Sequence, residues 1–487
     1  MIIAHRTGRR LPLGNIARVS IDVVAELSAM LGADRVYADR FERAAHARDC
    51  WPRAVVAERA GQQPVQPDAV VRPRTVDEVS EILRWANRTG VPVTPYAGGS
   101  GVVGGAVPVR GGVVVNVSDL SGLVDLDAVS GVATFRAGTA GPEAEAAAND
   151  AGFTIGHFPS SIMCSTVGGW VAARGAGQLS TRYGKAEDLV VAIEAVLPTG
   201  EIWRTLPAPR TAAGPDLWRL LAGAEGTLGI ITAVTLRLHP LPAERVFASR
   251  LCGSVNDGIE ALRQVMATGA RPAVLRLYDE IDTRLVLGGQ GPQVDAGALL
   301  IAVCEGDPRV VAAETAVLRD ATSAARDLGA APAEHWWAHR YAVSFRLPEV
   351  LGGRLLGPHA IADTIEVAGL WSRLPALYAE MHAALSTHVP VVLAHVSHCY
   401  PEGASIYWTF ASDAADDVQA LQRYDAAWEA AMVACTRIGG TIGHHHGVGL
   451  QRAQWLAAEL GAGHDVLRAV KTALDPAGIC NPGKLGL

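Results

Sequence analysis

Pro95-Tyr-Ala-Gly-Gly-Ser-Gly101-Val-Val-Gly-Gly105 is the stretch on which the fold turns. Within it, Gly99-Ser-Gly101-Val-Val-Gly104 matches the G-x-G-x-x-G of dinucleotide-binding loops letter for letter. Such a loop needs a helix to begin there, so that the helix N-terminus faces a pyrophosphate. Here Gly105, Pro108, Gly111 and Gly112 follow, and then the strand-like Val113-Val-Val-Asn-Val117. No helix fits. The loop is either a tight glycine turn between strands or an anion-binding nest of bare backbone N–H groups without a helix dipole. Asp125 and Asp127 fall where a ribose-binding acid would stand, a coincidence once the helix is missing.

Working outward, residues 69–71, 91–94, 113–117 and 132–136 read as strands. Thr75-Val-Asp-Glu78 is a capping box for a helix with Val79, Ile82, Leu83 and Ala86 on one face, closed by Gly90. A helix over 141–151 opens near Pro142, and strands are expected at 189–197 and 230–238. Pro240-Leu-Pro242 marks a boundary. Beyond it, helices at 255–269 and 308–328 alternate with strands at 273–278 and 298–304, and 391–396 and 404–410 read as paired strands. Helices follow at 414–438, 452–461 and 464–474. The expected division is an N-terminal segment 1–61, a glycine-rich domain 62–242, a second domain 243–430 and a C-terminal segment 431–487.

At 487 residues the chain exceeds what one core usually serves. With 49% hydrophobic and 19% charged residues it is not disordered, and no stretch reaches the ~18 apolar residues of a membrane span. A net charge of −7 argues against a nucleic-acid partner. The 52 glycines follow no repeat, so they belong where backbone turns tightly or approaches a ligand. Seven scattered cysteines with no C-x-x-C pair read as reduced thiols, and the first ten residues carry no apolar signal core; a cytoplasmic location is expected. Lysine occurs only at 185, 471 and 484, which reads as codon usage.

Two further glycine segments follow the first. In one, Pro159, Ser160, Ser161, Ser165 and Thr166 precede Gly168 and Gly169, offering hydroxyls and close backbone approach to a large phosphorylated ligand, or simply capping a helix. In the other, Glu225, Gly226 and Gly229 lead into Ile230 and Ile231.

These segments, with Tyr183-Gly-Lys-Ala-Glu-Asp-Leu-Val190, Leu474-Asp-Pro476 and Asn481-Pro-Gly-Lys484, resemble in order the flavoproteins of the vanillyl-alcohol oxidase / p-cresol methylhydroxylase family. The resemblance covers most of residues 65–240 plus the tail. It implies FAD, held by Pro95, Tyr96, Ala97, Gly98, Gly99, Ser100, Gly101 and Gly104 at the diphosphate and by the two later segments. It also implies an α+β fold: a two-lobed FAD-binding domain of the vanillyl-alcohol oxidase type, an α/β cap domain over the isoalloxazine ring, and a helical C-terminal tail completing the FAD and active site. In that family this loop can carry a histidine bonded to FAD. Ala97, Ser100 and Gly101 include none, so non-covalent FAD is expected. Ala97 replaces a frequent family glycine.

Within the family the chain looks most like the alkyldihydroxyacetonephosphate synthases. The matching signatures are Gly156-His157 with Pro159, Ser165-Thr-Val-Gly-Gly-Trp-Val171, Ile406-Tyr407 and His444-His-His-Gly-Val-Gly449. This implies catalytic roles for Tyr407, His157, Arg276, His444, His445 and His446, with Thr364 near the family's serine segment and Arg354 or Arg346 as a second anion-binding arginine. The implied reaction exchanges an acyl for an alkyl chain through a flavin N5 adduct without net redox change, as in ether lipid biosynthesis. The tail resembles the family's oxidases and dehydrogenases more, so an FAD-dependent oxidase or dehydrogenase of a D-2-hydroxy acid or alcohol is the alternative.

Read without the resemblance, the same residues leave choices open. Arg276, between Leu275 and Leu277, needs an anionic partner, an internal carboxylate or a substrate. Tyr407 is a buried aromatic, or an acid–base group whose proton affinity histidines lower. If His444–His446 form a strand, His444 and His446 share a face and His445 does not. No metal site is expected; His395 and His398 are the residues that could complete one, although related metal-dependent D-2-hydroxyacid dehydrogenases have Glu-His where this chain has His445-His446. The expected partner is an anionic small molecule with an apolar chain. No nucleic acid and no transmembrane span are expected; peripheral membrane contact and a homodimer are.

Overall fold

The computed structural model describes residues 22–287, 296–342 and 346–487. Its first part holds two main sheets, besides a small pairing of Phe153–Thr154 with His239–Pro240. One has four strands, in the order Val36–Tyr37, Ala69–Val71, Val113–Asn116, Val93–Tyr96. The helix Val76–Thr89 covers it, opened by the Thr75/Glu78 capping box, closed by Gly90 in the left-handed region, and burying Val79, Ile82, Leu83 and Ala86. Val93–Tyr96 and Val113–Asn116 are parallel neighbours. Parallel neighbours need a crossover, usually a helix. Here loop 97–112 makes it without one, as the glycine spacing predicts.

The other sheet is antiparallel, in the order Leu123–Asp127, Val132–Arg136, Ile230–Arg237, Val190–Val196, Ile202–Arg204. Asp127 accepts from the Val129 and Ser130 N–H groups and so shapes a hairpin turn, not a ribose site. The C-terminal tail returns to the first sheet: Val93 N–H donates to Ile479 O (2.8 Å) and Asn481 N–H to Val93 O (2.7 Å).

The rest is one antiparallel sheet of seven strands, in the order Arg326–Gly329, Glu244–Cys252, Ala298–Gly306, Val274–Tyr278, Val391–Ser397, Gly403–Ser412, Ile361–Leu370. Side chains alternate across a strand. Leu275, Leu277, Val396, Ile406, Trp408 and Ile365 form a buried core under the helices Val255–Ala267, Leu374–Ser386 and Asp417–Ile438. Arg276, Tyr278, His395, Tyr407 and Glu366 occupy the other face, which meets Leu179 and Tyr183 of the first part.

The helix expected at 308–328 ends at Ala321. The Thr322 hydroxyl donates to the Leu318 carbonyl at that end (2.7 Å), and Arg326–Gly329 becomes an edge strand on Ser249–Leu251, with Asp327 bound to Arg250. Cross-strand pairing outweighs helical periodicity there. Among the described residues no helix is long and apolar enough to cross a membrane.

Candidate active site

The three glycine segments converge. A Cβ placed on Gly98 would stand 1.8 Å from the Cys164 carbonyl oxygen, so loop 97–105 and segment 160–165 meet backbone to backbone. Gly99 (φ +60°) makes the turn past Tyr96, whose hydroxyl would be 2.0 Å from any Cβ. Cys50 N–H donates to Gly101 O (2.9 Å), fixing the loop from outside. Gly226 packs on Pro95, where a Cβ would come within 2.6 Å, and seats the third segment on the first.

Not every residue of these segments faces a ligand. The Ser165 hydroxyl accepts from the Trp170 indole (2.8 Å), and the Ser160 hydroxyl from the Gln178 amide (3.1 Å). Gly168 lies tight on Ala137, which packs the helix Val167–Ala172 against its sheet, while a Cβ on Gly169 would meet only the Thr166 hydroxyl at 3.3 Å. Gly229 lies against Val196 O, and the Ile230 and Ile231 side chains are core. Glu225 accepts from the Val448 (2.5 Å) and Gly449 (2.8 Å) N–H groups, tying the third segment to the tail. Gly98 and Gly99, packed without side chains on the Cys164 carbonyl and the Tyr96 hydroxyl beside a hydroxyl-bearing segment, leave the loop a bare backbone of the kind an FAD diphosphate requires.

Four strands of the cap bring the catalytic candidates into one row. Tyr407 lies directly opposite Glu366 on one side and His395 on the other, and His395 lies opposite Tyr278. The Tyr407 ring stacks on His395 (4.8 Å, 16°), whose Nε2 is 2.5 Å from Arg276 Nη2. Arg276 rests over the Tyr278 and Trp336 rings (5.1 and 5.6 Å), and among the described residues no carboxylate pairs with it. It is partly buried and its Nε has no acceptor; Asp282, which also faces His395 (3.8 Å), feels its charge without pairing with it, so the guanidinium is left able to take an anion from outside the chain. Arg354 is exposed, and the structure does not describe the Arg346 side chain.

The histidine run is a loop, so the alternation expected of a strand does not apply. All three rings lie at the site: His445 stacks near-parallel to Tyr407 (5.9 Å, 18°), His446 meets it edge-on (5.6 Å, 87°), and His444 contacts Tyr400 and His398. Glu366, fully buried, organises the loop. One carboxylate oxygen accepts from three successive N–H groups, of His444 (3.2 Å), His445 (3.1 Å) and His446 (2.8 Å). The other accepts from buried Arg452 and is 3.1 Å from His446 Nδ1. Lys185 donates to the His444 carbonyl (2.5 Å) and pairs with Glu187 (3.3 Å). Ring nitrogens of His398, His444 and His445 lie within 4.8 Å of one another, close enough to share an ion. They also hydrogen-bond as they stand: His398 Nδ1 with Ser180 (2.6 Å), His444 Nε2 with Tyr400 (3.0 Å), and His444 Nδ1 with His445 Nδ1 (2.9 Å).

Burial sets the electrostatics. It pushes the Tyr407 phenol up to about 12, with the Thr364 side chain acting the other way, so the histidines do not make this tyrosine acidic. Burial holds His395, His444 and His445 well below the usual histidine range and brings His398 down to about 3. His157 sits apart, fully buried against Trp170 (4.6 Å) with neither ring nitrogen partnered; burial, then the charge of Lys185, brings it down to about 3. For Glu366, burial alone would raise the pKa, but Arg452 and His446 hold it well below the carboxylate range.

Sequence reasoning did not single out Lys185, Glu366, Tyr400 or Arg452 as site residues, and reached His398 only as a residue that could complete a metal site. The scarcity of lysine was a signal. Lys185 closes the site, Lys471 binds Thr227 O (2.7 Å), Asp475 and Cys480 O, and Lys484 binds Val107 O (2.6 Å); all three are internal ties rather than surface charges.

Two family models match the chain: an FAD binding domain over residues 67–206 and the C-terminal domain of FAD linked oxidases over residues 241–485. The alkyldihydroxyacetonephosphate synthase of Dictyostelium discoideum is 29% identical over 95% of this chain and 80% of its own length. A solved alkyldihydroxyacetonephosphate synthase superimposes with a TM-score of 0.79 at 26% identity, covering 94% of this chain and 84% of that one. The p-cresol methylhydroxylase structure, at 17% identity and a TM-score of 0.75 over 96% of both chains, shares the fold.

Proposed function

Because the chain belongs to the FAD linked oxidases, an FAD-dependent enzyme family, we propose that it acts as an alkyldihydroxyacetonephosphate synthase-like transferase. It exchanges the acyl chain of an acylated dihydroxyacetone phosphate for a fatty alcohol without net redox change. The observation that carries this reading is Arg276, a guanidinium without a carboxylate partner, in one row with His395 and Tyr407. FAD, when bound non-covalently in the cradle of Gly98 and Gly99, supplies the electrophilic ring that this exchange requires.

Arg276 holds the substrate phosphate, while Trp336 and Tyr278 cover its faces and keep water away. Loss of the fatty acid and entry of the alcohol balance in protons: the alcohol gives up its hydroxyl proton, and one proton is available to the departing carboxylate. Tyr407 is protonated at neutral pH, so Oη donates first and is recharged afterwards. A histidine of the run that meets the phenol, His445 or His446, accepts the alcohol's proton.

The second reading, oxidation of a D-2-hydroxy acid or alcohol, draws on the same neutral histidines: Arg276 would hold the carboxylate and a histidine would take the hydroxyl proton. The test is incubation of the holoenzyme with an acyl-dihydroxyacetone phosphate and a deuterated long-chain alcohol, followed by mass spectrometry. A deuterated ether and free fatty acid are expected in equal amounts. No ether, together with oxidation of a D-2-hydroxy acid, would replace the first reading by the second.

A further inference from the structure

We propose that Glu366 is the positioning residue of the histidine run: its carboxylate folds the backbone of His444–His446 around itself and fixes the proton of His446 on Nδ1, leaving Nε2 as the acceptor at the site. The inference rests on the reading of Tyr407 and the histidines as the proton-handling groups.

Five groups converge on this one side chain. The N–H groups of His444, His445 and His446 share one oxygen; Arg452 and His446 Nδ1 face the other. The backbone N–H groups and the guanidinium can only donate. Glu366 is therefore an ionised acceptor on both oxygens; His446 Nδ1 stands 3.1 Å from it without hydrogen-bond alignment, and because a ring lone pair facing a carboxylate at that distance is repelled, the favourable state is a proton on Nδ1. Arg452 also donates to Gly447 O (2.6 Å), so the same ion pair closes the far end of the loop. Because Glu366 stands directly opposite Tyr407 in the sheet, the histidine rings are held at a spacing from the phenol set by strand register rather than by loop flexibility. The other charged or titratable groups around His446 are Tyr407, Asp363, His398, His444 and His445, with Lys185 reaching the loop at the His444 carbonyl. Among the described residues, Glu366 is the carboxylate within ion-pair distance of the His446 ring.

An amide cannot replace this carboxylate. In Glu366→Gln, one end of the side chain becomes an NH2 donor, which must face either the three N–H groups or Arg452. Glu366→Asp keeps the charge but is one methylene shorter, so it loses reach to the three N–H groups while retaining Arg452; it covers the case in which Glu366→Gln does not fold. Both are studied as holoenzymes labelled with 15N-histidine, with His446→Gln to assign the signal. Long-range 1H–15N spectra should show His446 as the Nδ1–H tautomer in the parent and a mixed or Nε2–H tautomer in the variants. In the exchange assay kcat should fall about 10- to 100-fold with KM within threefold and FAD stoichiometry unchanged. An unchanged His446 tautomer, or unchanged kcat, in a folded variant overturns the proposal. If Tyr407→Phe leaves turnover intact, the wider reading of the site fails instead, and the tautomer still decides the role of Glu366.

Discussion

Gly98→Ala tests the cofactor cradle at its tightest point. The added methyl would stand 1.8 Å from the Cys164 carbonyl oxygen, whereas ordinary contacts begin at 3.4 Å, so one backbone must retreat by about 1.6 Å (3.4 − 1.8). A shift of that size takes an N–H group out of hydrogen-bonding range of a phosphate oxygen. Hydrogen bonds to charged groups contribute roughly 1.5–3 kcal/mol each, so losing one or two weakens FAD binding by about 3 kcal/mol, or about 150-fold in Kd. The assay is titration of apoprotein with FAD by flavin fluorescence, with circular dichroism to follow folding. Gly90→Ala is the control: its φ of +71° also disfavours a side chain, but nothing lies within 4 Å, so the roughly 1–2 kcal/mol of strain should appear in stability alone. Parental FAD affinity in Gly98→Ala would refute the cradle.

Further outcomes follow from the same contacts. Tyr407→Phe should bind FAD normally and lose roughly 10²- to 10⁴-fold in kcat, checked by steady-state kinetics. Arg276→Met should lower kcat/KM for the anionic substrate by roughly 100-fold with only a small fall in Tm, since Asp282 loses the influence of a nearby charge but no ion-pair partner; a marked fall in Tm would point to a structural role. Acid precipitation should release all the flavin, and colour retained on the pellet would contradict non-covalent binding. His157 and His398 have folded values near 3, below the ordinary ~6.5, so the unfolded chain binds more protons between those limits. Stability should be retained above pH 6.5 and fall as pH drops toward 3, by roughly 1.4 kcal/mol per pH unit for each histidine. Urea midpoints that stay flat from pH 6.5 to 4.5 would contradict this.

The cofactor half of the molecule was legible because its signals are local. The capping box at Thr75 and the helix-free glycine loop each read out over a dozen residues and appear as expected, whereas Ser160 and Ser165 of the hydroxyl segment accept hydrogen bonds from Gln178 and Trp170. The cap site was legible only in part. Arg276, Tyr407 and the histidines carried signatures, but the row itself depends on the order of four strands drawn from residues 274–278, 361–370, 391–397 and 403–412. That order is a long-range property: nothing near Asp363-Thr-Ile-Glu366 says that it lies opposite Tyr407. The histidine run misled for the same reason. Strand alternation was the local expectation, and a buried carboxylate from a distant strand instead winds the segment into a loop. Tyr407 shows how burial overrides neighbours: neutral histidines bring no charge to stabilise a phenolate.

The most direct test of the central claim is anaerobic mixing of the holoenzyme with substrate while flavin absorbance is followed in a stopped-flow instrument. With an acyl-dihydroxyacetone phosphate and a long-chain alcohol, the account predicts that any spectral change is transient and that fully oxidised flavin returns as ether accumulates. Lasting bleaching at a catalytic rate by a D-2-hydroxy acid, with no ether formed from the ester, would contradict it.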